Sequence, residues 1–398
     1  MIIRTLEVRL KSLARQFPVL FCTGPRQSGK TTLTRMAFPD FDYLSLEDLQ
    51  NRQEATEDPR GFLRRLEGAT GVILDEVQRT PDLFSYIQGF VDDARGGPLL
   101  LTGSQHFLLS ERISQSLAGR AAILELLPFS LSELAGRPAI EPEAFGQPAL
   151  VARSPHDIRL DDVLFTGLFP PIHDRQLEAA VWLDGYIRTY VERDVRSISN
   201  VGDLDAFTRF LGLCAGRTGQ LLNLSSLGAD AGVSHATAKR WISILRASYV
   251  VDLLGPHHQS FAKRLTRSPK LYFVDTGLLC HLLGIRRVAH LHQHPLRGAV
   301  FENHVICELR KLFLHHGQRP PLYFWRESGG REIDVIIDYG NQRVPVEIKA
   351  GETIASDYFK ELDKYVGLSG DPFGVLVHGG DACHPRKRHV VYPWWACS

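Results

Sequence analysis

The residues best suited to chemistry begin at Gly24. The run Gly24-Pro25-Arg26-Gln27-Ser28-Gly29-Lys30-Thr31-Thr32 fits the pattern G-x-x-x-x-G-K-[ST]. A glycine-rich turn of this kind points successive backbone N–H groups inward around phosphate, and the helix that follows adds its positive N-terminal end. Charge and reach then assign roles: Gly24 to Thr32 cradle a nucleotide, Lys30 neutralises the β- and γ-phosphates, and the Thr31 hydroxyl binds Mg²⁺. Downstream, Val72-Ile73-Leu74-Asp75-Glu76 is an apolar run ending in two acids. Asp75 is expected to hold Mg²⁺, directly or through water, and Glu76 to orient or deprotonate an attacking water. Leu99-Leu100-Leu101-Thr102-Gly103-Ser104 ends in small polar side chains, of which Ser104, or else Thr102, can sense the γ-phosphate. Arg120, in Ser116-Leu-Ala-Gly-Arg120, is expected to reach a neighbouring subunit's nucleotide as an arginine finger, with Arg112 a competing candidate. The plainer role for Arg120 is to meet the dipole at a helix C-terminus.

A second constellation lies near the other end of the chain. Asp334 sits in an apolar run, and Glu347-Ile348-Lys349 ends the next one. Period-two alternation puts Glu347 and Lys349 on one face of a strand, and the Tyr339-Gly-Asn-Gln turn folds the two runs together so that Asp334 nears Glu347. Glu302, on the preceding helix, can add a third carboxylate. Converging acids repel unless a cation such as Mg²⁺ neutralises them, and Lys349 can then orient or activate a water against a scissile phosphate. The alternative is a half-exposed sheet whose acids and lysine form surface pairs. The tail Arg386-Lys387-Arg388-His389, with Trp394 and Trp395, either contacts DNA or caps this region.

Between the two lies a basic stretch. Residues 217–270 hold eight bases and two acids, whereas residues 40–76 hold ten acids and four bases, so the formal net charge of +1 hides a polarised chain. Residues 221–250 read as a short helix, a turn at Gly232-Val233-Ser234 and a second helix opening at Ser234, the helix-turn-helix pattern. Tyr249 to Leu254 and Ser260 to Lys270 would complete a wing. In a DNA reader His235, Thr237, Lys239 and Arg240 lie in or beside the major groove, while Lys263, Arg264, Arg267 and Lys270 contact phosphates. Such a module equally serves as a protein contact surface.

These residues need elements to position them. The N-terminal part alternates short apolar runs with helical patterns, which predicts an α/β domain with a mainly parallel sheet and strands at Val19 to Thr23, Tyr43 to Leu46, Gly71 to Asp75, Pro98 to Gly103 and Ala121 to Leu126. Helices are expected at Leu83 to Asp93 and Phe107 to Leu117. Residues 136 to 160, with four prolines, read as a linker or surface loop, followed by helices around Ala179 to Val195. From Leu296 the predicted order is a helix (Gly298 to His316), three strands (Leu322 to Arg326, Arg331 to Asp338, Arg343 to Ala350), a helix (Ala355 to Val366) and a strand (Phe373 to His378). The chain of 398 residues is long enough for several domains, and 44% hydrophobic with 23% charged residues is the balance of an ordinary globular protein. Six scattered cysteines without C-x-x-C spacing and no long apolar run predict a cytoplasmic protein with reduced thiols and no membrane partner.

The order GPRQSGKT, VILDEVQ, LLLTGS, SLAGR and PFSLSEL resembles the AAA+ ATPases of bacteria and archaea that are fused to a C-terminal domain of unknown function. Tyr186-Ile-Arg-Thr-Tyr-Val-Glu-Arg-Asp194 and Lys270-Leu-Tyr-Phe-Val-Asp-Thr-Gly277 match the same pattern, so the resemblance covers nearly the whole chain. It implies ATP and Mg²⁺ as cofactors, an AAA+ P-loop core (1–135) and a linker and helical lid (136–200). The helix-turn-helix pattern adds a winged helix-turn-helix (201–295). The element order after Leu296 resembles the core of restriction-endonuclease-like nucleases (296–398), so that the whole is expected to be an α/β fold. The lid cluster Arg188, Glu192, Arg193 and Asp194 is then expected near the nucleotide, unless it is a solvated helix face. The combined expectation is ATP hydrolysis coupled to DNA binding or processing by a homo-oligomer, with metal-dependent phosphodiester cleavage at Glu302, Asp334, Glu347 and Lys349 an open question. The alternatives are an ATP-switched regulator with an inert nuclease-like domain, and a scaffold for a protein partner.

Overall fold

The computed structural model describes residues 2–93, 96–104, 116–147, 158–191, 203–257, 268–327, 329–381, 383, 386 and 388–398. The expected helix at Phe107 to Leu117 lies largely outside them. So do Arg112, Glu192, Arg193, Asp194, Lys263, Arg264, Arg267 and Lys387. Two compact units form: residues 1–129 with 247–249 and 314–318, and residues 130–246 with 250–313 and 319–398.

In the first unit, helix α1 (Leu6–Ala14) precedes β1 (Val19–Thr23), α2 (Lys30–Ala37), β2 (Asp42–Ser45), α3 (Leu49–Glu57), α4 (Pro59–Arg64), β3 (Val72–Asp75), α5 (Leu83–Asp92), β4 (Leu99–Gly103) and β5 (Ala121–Glu125). All five strands are parallel, in the order β2-β3-β4-β1-β5. The central strands β1, β3 and β4 are apolar without polar alternation because helices cover both faces of such a sheet. Phe21, Leu74, Leu101 and Phe84 fill one face, and Leu20, Ile73, Leu100, Leu6 and Leu10 the other. Parallel pairing brings the strand ends at Thr23, Asp75 and Gly103 to one edge, and β4 separates the strand leading to Gly24 from the strand ending in Asp75.

The second unit contains α6 (Leu160–Thr166), α7 (Ala179–Tyr186), α8 (Leu204–Ala215), α9 (Leu224–Ala231), α10 (His235–Ala247), an antiparallel pair β6 (Val251–Leu254) and β7 (Lys270–Phe273), and α11 (Thr276–Leu282). Gly232 ends α9 with a left-handed φ of 77°, a conformation open to glycine at little cost. The Ser234 hydroxyl accepts from the Thr237 N–H at 3.1 Å and starts α10. The chain between α8 and α9 lies along β7 through Gly219 N–H to Leu271 O, 2.8 Å, and Leu222 N–H to Pro269 O, 2.8 Å. Then follow α12 (Arg297–Leu314), β8 (Leu322–Arg326), β9 (Glu332–Asp338), β10 (Arg343–Lys349), α13 (Lys360–Ser369), β11 (Gly374–His378) and β12 (His389–Pro393). These strands make one sheet, β12-β11-β10-β9-β8, antiparallel from β8 to β10 and parallel from β10 to β12.

Several expectations change. Strand β12 was not foreseen. The helix expected from Ala355 starts as a 3₁₀ turn (Ser356–Phe359) before α13. Of the stretch 136 to 160, the described residues up to 147 are not a loose linker: Ile140 and Phe145 are buried, and Gly146 donates to the Tyr392 hydroxyl at 3.1 Å. Trp394 and Trp395 are buried, so they cap the sheet rather than face a ligand.

Candidate functional site

Gly24 leaves β1 with φ 150°, and a Cβ there would lie 2.1 Å from the Leu126 carbonyl oxygen. A side chain cannot enter, which is why glycine stands at the first turn of the loop. Gln27 has φ 62°, an uncommon conformation for a non-glycine residue, and Gly29 caps α2 with φ 92°. Pro25 and Ser28 are buried, Arg26 is half-buried, and Gln27 and Thr32 are exposed. The buried Ser28 hydroxyl has no hydrogen-bond partner among the described atoms. Lys30 is buried, and its ammonium donates to the Gly24 and Pro25 carbonyls at 3.1 and 2.8 Å. Burial lowers its pKa, and the acidic side chains Glu76 and Asp75 oppose that shift.

Asp75, at the end of β3, accepts from three hydroxyls. Thr31 Oγ1 donates to Oδ2 at 2.9 Å, the Tyr43 hydroxyl to the same oxygen at 2.8 Å, and Thr102 to Oδ1. Burial and the adjacent Asp75 carboxylate push the Tyr43 pKa up to about 12, so the phenol stays a donor. Glu76 is held at φ 58°, a second non-glycine residue in the left-handed region, and such strain clusters at functional sites. Gln78 links its neighbours by donating to Glu76 Oε2 and, at 3.3 Å, to Ser104 Oγ. Thus Thr102 belongs to Asp75, and Ser104 to Glu76. Arg4 completes the loop's support: its guanidinium donates to Ser28 O at 2.8 Å and Leu127 O at 2.6 Å and stacks 4.8 Å from the Phe129 ring. Tyr43, Gln78 and Arg4 were not anticipated. The motif VILDEVQ contains Gln78, and its spacing from Glu76 was the available signal.

The buried strand-end carboxylate, the inward lysine and the unpartnered Ser28 hydroxyl fit a nucleoside triphosphate with Mg²⁺. Arg120 stands apart from them. It directly precedes β5, whose Ala121 pairs with Val19 at the start of β1, so the length of a strand, about 16 Å at 3.3 Å per residue, separates it from the loop. Its guanidinium pairs with Asp92 at 2.5 and 2.9 Å.

The second constellation is also assembled. The antiparallel register pairs Val346 with Val335, so Glu347 lies across from Asp334. Asp334 Oδ2 accepts from the Ile348 N–H at 2.8 Å, Lys349 donates to Glu347 Oε1 at 2.5 Å, and Tyr272 donates to Glu302 Oε1 at 2.6 Å. Burial, then the charges of Glu347 and Glu302, raises the Asp334 pKa well above the usual carboxylate range. Lys270 corrects an expectation: it is no exposed wing residue but is 2% exposed, paired with Glu302 at 3.2 Å and with Glu332. Its place on β7 aims it into the unit, where carboxylates compensate the ammonium. Burial lowers its pKa, but Glu302, Asp334 and Glu332 outweigh this and hold it above the ordinary lysine value. The carboxylates do not fit a resident metal in this arrangement: among the described residues no group of three His, Cys, Asp or Glu is spaced to hold one.

On α10, His235, Lys239 and Arg240 are exposed and Thr237 half-buried. The described part of the lid cluster is Arg188, paired with Asp184 at 3.1 Å along the helix.

Comparison with known proteins gives this geometry a family. Residues 16–135 match the family described as AAA domain, while 158–289 and 297–397 match domains of unknown function, DUF8612 and DUF4143. The uncharacterized protein Rv2008c of Mycobacterium tuberculosis is 32% identical over 356 residues, covering 88% of this chain and 74% of that protein. The chain belongs to the Rv2008c family. The uncharacterized protein MJ1544 of Methanocaldococcus jannaschii is 21% identical over 420 residues, covering 98% of this chain and 90% of its own. Among solved structures, the Walker-type ATPase paby2304 of Pyrococcus abyssi aligns with 70% of this chain and 94% of its own, at 14% identity and TM-score 0.46. Residues 16–135 are thus a P-loop ATPase domain, whose cofactors are ATP and Mg²⁺. Among the described residues no helix is long and apolar enough to cross a membrane.

Proposed function

We propose that the chain hydrolyses ATP in the first unit and couples turnover to DNA binding through residues 217–270, in a cytoplasmic homo-oligomer in which Arg120 serves a neighbour's site. The observation that carries the ATPase half is the convergence of Lys30, Thr31, Asp75, Glu76, Gln78 and Ser104 at one sheet edge. Lys30 would leave its carbonyl partners for the β- and γ-phosphates, and the backbone from Gly24 to Thr32 would wrap them. Thr31 and Asp75 would hold Mg²⁺, which neutralises phosphate charge when bound. Glu76 would accept the proton of a water, with Gln78 and Ser104 fixing the carboxylate and the water. The strand-length gap between Arg120 and the loop favours action on a second copy over action in its own site. Equal ATP turnover by wild type, Lys30→Ala and Glu76→Gln removes the assignment.

DNA binding is supported by the two helices meeting at Gly232, the β6–β7 pair and the exposed His235, Lys239 and Arg240, the arrangement of a winged helix. A duplex affinity that falls steeply with salt is the expected result, and absence of binding at physiological salt would leave a protein-contact module.

For the second unit's sheet, helix α12 followed by β8, β9, β10, α13 and β11 supports a restriction-endonuclease-like core. One observation favours the reading of this domain as catalytically inert: Lys270 and Lys349 already compensate its acids. Intact plasmid after incubation with ATP and Mn²⁺ is expected, and cleavage lost in Glu347→Ala would reverse that reading.

A further inference from the structure

One of the three hydroxyls on Asp75 comes from outside the phosphate-binding motifs. Tyr43 stands on β2 across from Ile73 in the parallel register, whereas Ser45 stands across from Asp75. Two strand residues span about 6.6 Å, so a long side chain leaning along β2 is needed to reach from position 43 to the Asp75 carboxylate. The phenol makes that reach and donates to Oδ2 at 2.8 Å, beside the Thr31 bond to the same oxygen at 2.9 Å. Its ring is held in turn by Arg35, whose guanidinium carbon lies 4.8 Å from the ring centre. Arg35 follows Thr31 by four residues on α2, so the two project from one helix face. Thr31, Arg35 and Tyr43 also line one groove of about 470 Å³. Between them α2 and β2 close a chain of contacts that runs from Arg35 to Tyr43, Asp75 and Thr31.

We propose that Tyr43 is a positioning residue for Mg²⁺ that acts through Asp75: its hydroxyl fixes the rotation of the carboxylate, and the carboxylate in turn aims the Thr31 hydroxyl. A threonine hydroxyl has one proton and two lone pairs, so Thr31 keeps its proton on Asp75 and still has a lone pair for a cation. That division holds only while the carboxylate stays in place. Thr102 donates to Oδ1 and Tyr43 to Oδ2, so the two secure opposite oxygens against swinging. Phenylalanine at position 43 keeps the ring and its contact with Arg35 but leaves Oδ2 with Thr31 as its one remaining donor among the described residues. Outer partners of this kind set metal affinity without touching the metal. The inference rests on the reading of Thr31 and Asp75 as the residues that hold Mg²⁺.

The test is Mg²⁺ titration of the metal-stripped 398-residue protein with ATP carrying a fluorescent N-methylanthraniloyl group, read as bound fluorescence so that no turnover is needed. Tyr43→Phe is expected to raise the Mg²⁺ midpoint about tenfold, and Arg35→Met about threefold in the same direction. The double variant should move no further than Tyr43→Phe, because both act through one carboxylate. An unchanged or lower midpoint in a Tyr43→Phe protein that melts like wild type overturns the proposal and leaves the bond a structural one. So does equal weakening of labelled-ATP binding with and without Mg²⁺, which is loss of loop shape. If Tyr43→Phe does not fold, Arg35→Met decides, and an unshifted midpoint there counts against the proposal. Wild type that binds labelled ATP with no Mg²⁺ dependence sinks the reading of Thr31 and Asp75, and the proposal with it. A wild-type midpoint that Tyr43→Phe fails to move sinks the role of Tyr43 alone.

Discussion

Asp75, buried, and Asp334, half-buried, are both strand carboxylates, and their neighbours differ in charge. Around Asp75 the partners are hydroxyls, from Thr31, Tyr43 and Thr102, while the nearby ammonium of Lys30 is engaged by loop carbonyls. Hydroxyls satisfy the oxygen lone pairs without bringing a positive charge. Around Asp334 the cluster contains two ammonium groups, paired with Glu302 and Glu347. The same residue type is therefore met by neutral donors in one unit and by a mixed cluster of acids and ammonium groups in the other.

The largest effect that separates the two should come from Glu76→Gln and Lys30→Ala. Each is expected to lower ATP turnover about 10²- to 10⁴-fold in steady-state assays, while Glu347→Gln leaves it unchanged. A comparable loss in Glu347→Gln would erase the contrast. Next come the hydroxyls. Thr102→Val should raise the Mg²⁺ needed for half-maximal turnover about tenfold, as loss of a group that orients a metal ligand does. The matching change at the other cluster, Tyr272→Phe, should cost about 1–3 kcal/mol in urea unfolding and nothing in Mg²⁺ requirement. Arg4→Met should raise KM for ATP roughly tenfold with a smaller fall in kcat, since it frees two buried carbonyls and loosens the loop without touching Glu76. Equal effects on KM and kcat would mean that Arg4 acts on chemistry instead.

The smallest effect on turnover, none at pH 7, concerns a buried base left neutral. Burial lowers the His304 pKa to about 4, against an ordinary 6.5. Between those values the unfolded chain takes up a proton that the folded chain refuses, so stability falls as pH drops from 6.5 toward 4, by up to about 3 kcal/mol. Unfolding of His304→Leu should depend less on pH across that window. An unchanged slope would assign the acid sensitivity to other groups, such as Glu308.

Strand positions were legible because buried parallel strands read as short apolar runs between turn residues. Val19–Thr23 and Leu322–Arg326 fell where expected, and β2, β3 and β4 shifted by one residue. The phosphate loop was legible for the same local reason, since its glycines, lysine and threonine are contiguous. Arg4, Tyr43 and Gln78 were not, because their roles exist only after distant strands pair: Arg4 bonds to residues more than a hundred positions away. Lys270 departs from the exposed face that a basic stretch predicts. Its burial depends on Glu302 and Glu332, which local sequence could not connect to it. Strand β12 was missed because charged Arg386 to Arg388 precede it and hide a short apolar run, Val390 to Tyr392.

Arg4 has a mechanical consequence. One guanidinium grips the turn at Ser28 and the chain at Leu127, immediately beyond the last strand of the first unit. The phosphate cradle and the point where the chain leaves its sheet are thereby clamped together. A tug on the polypeptide at Phe129 reaches the cradle through two hydrogen bonds, without bending the sheet, and a tightening of the cradle is felt at the same exit.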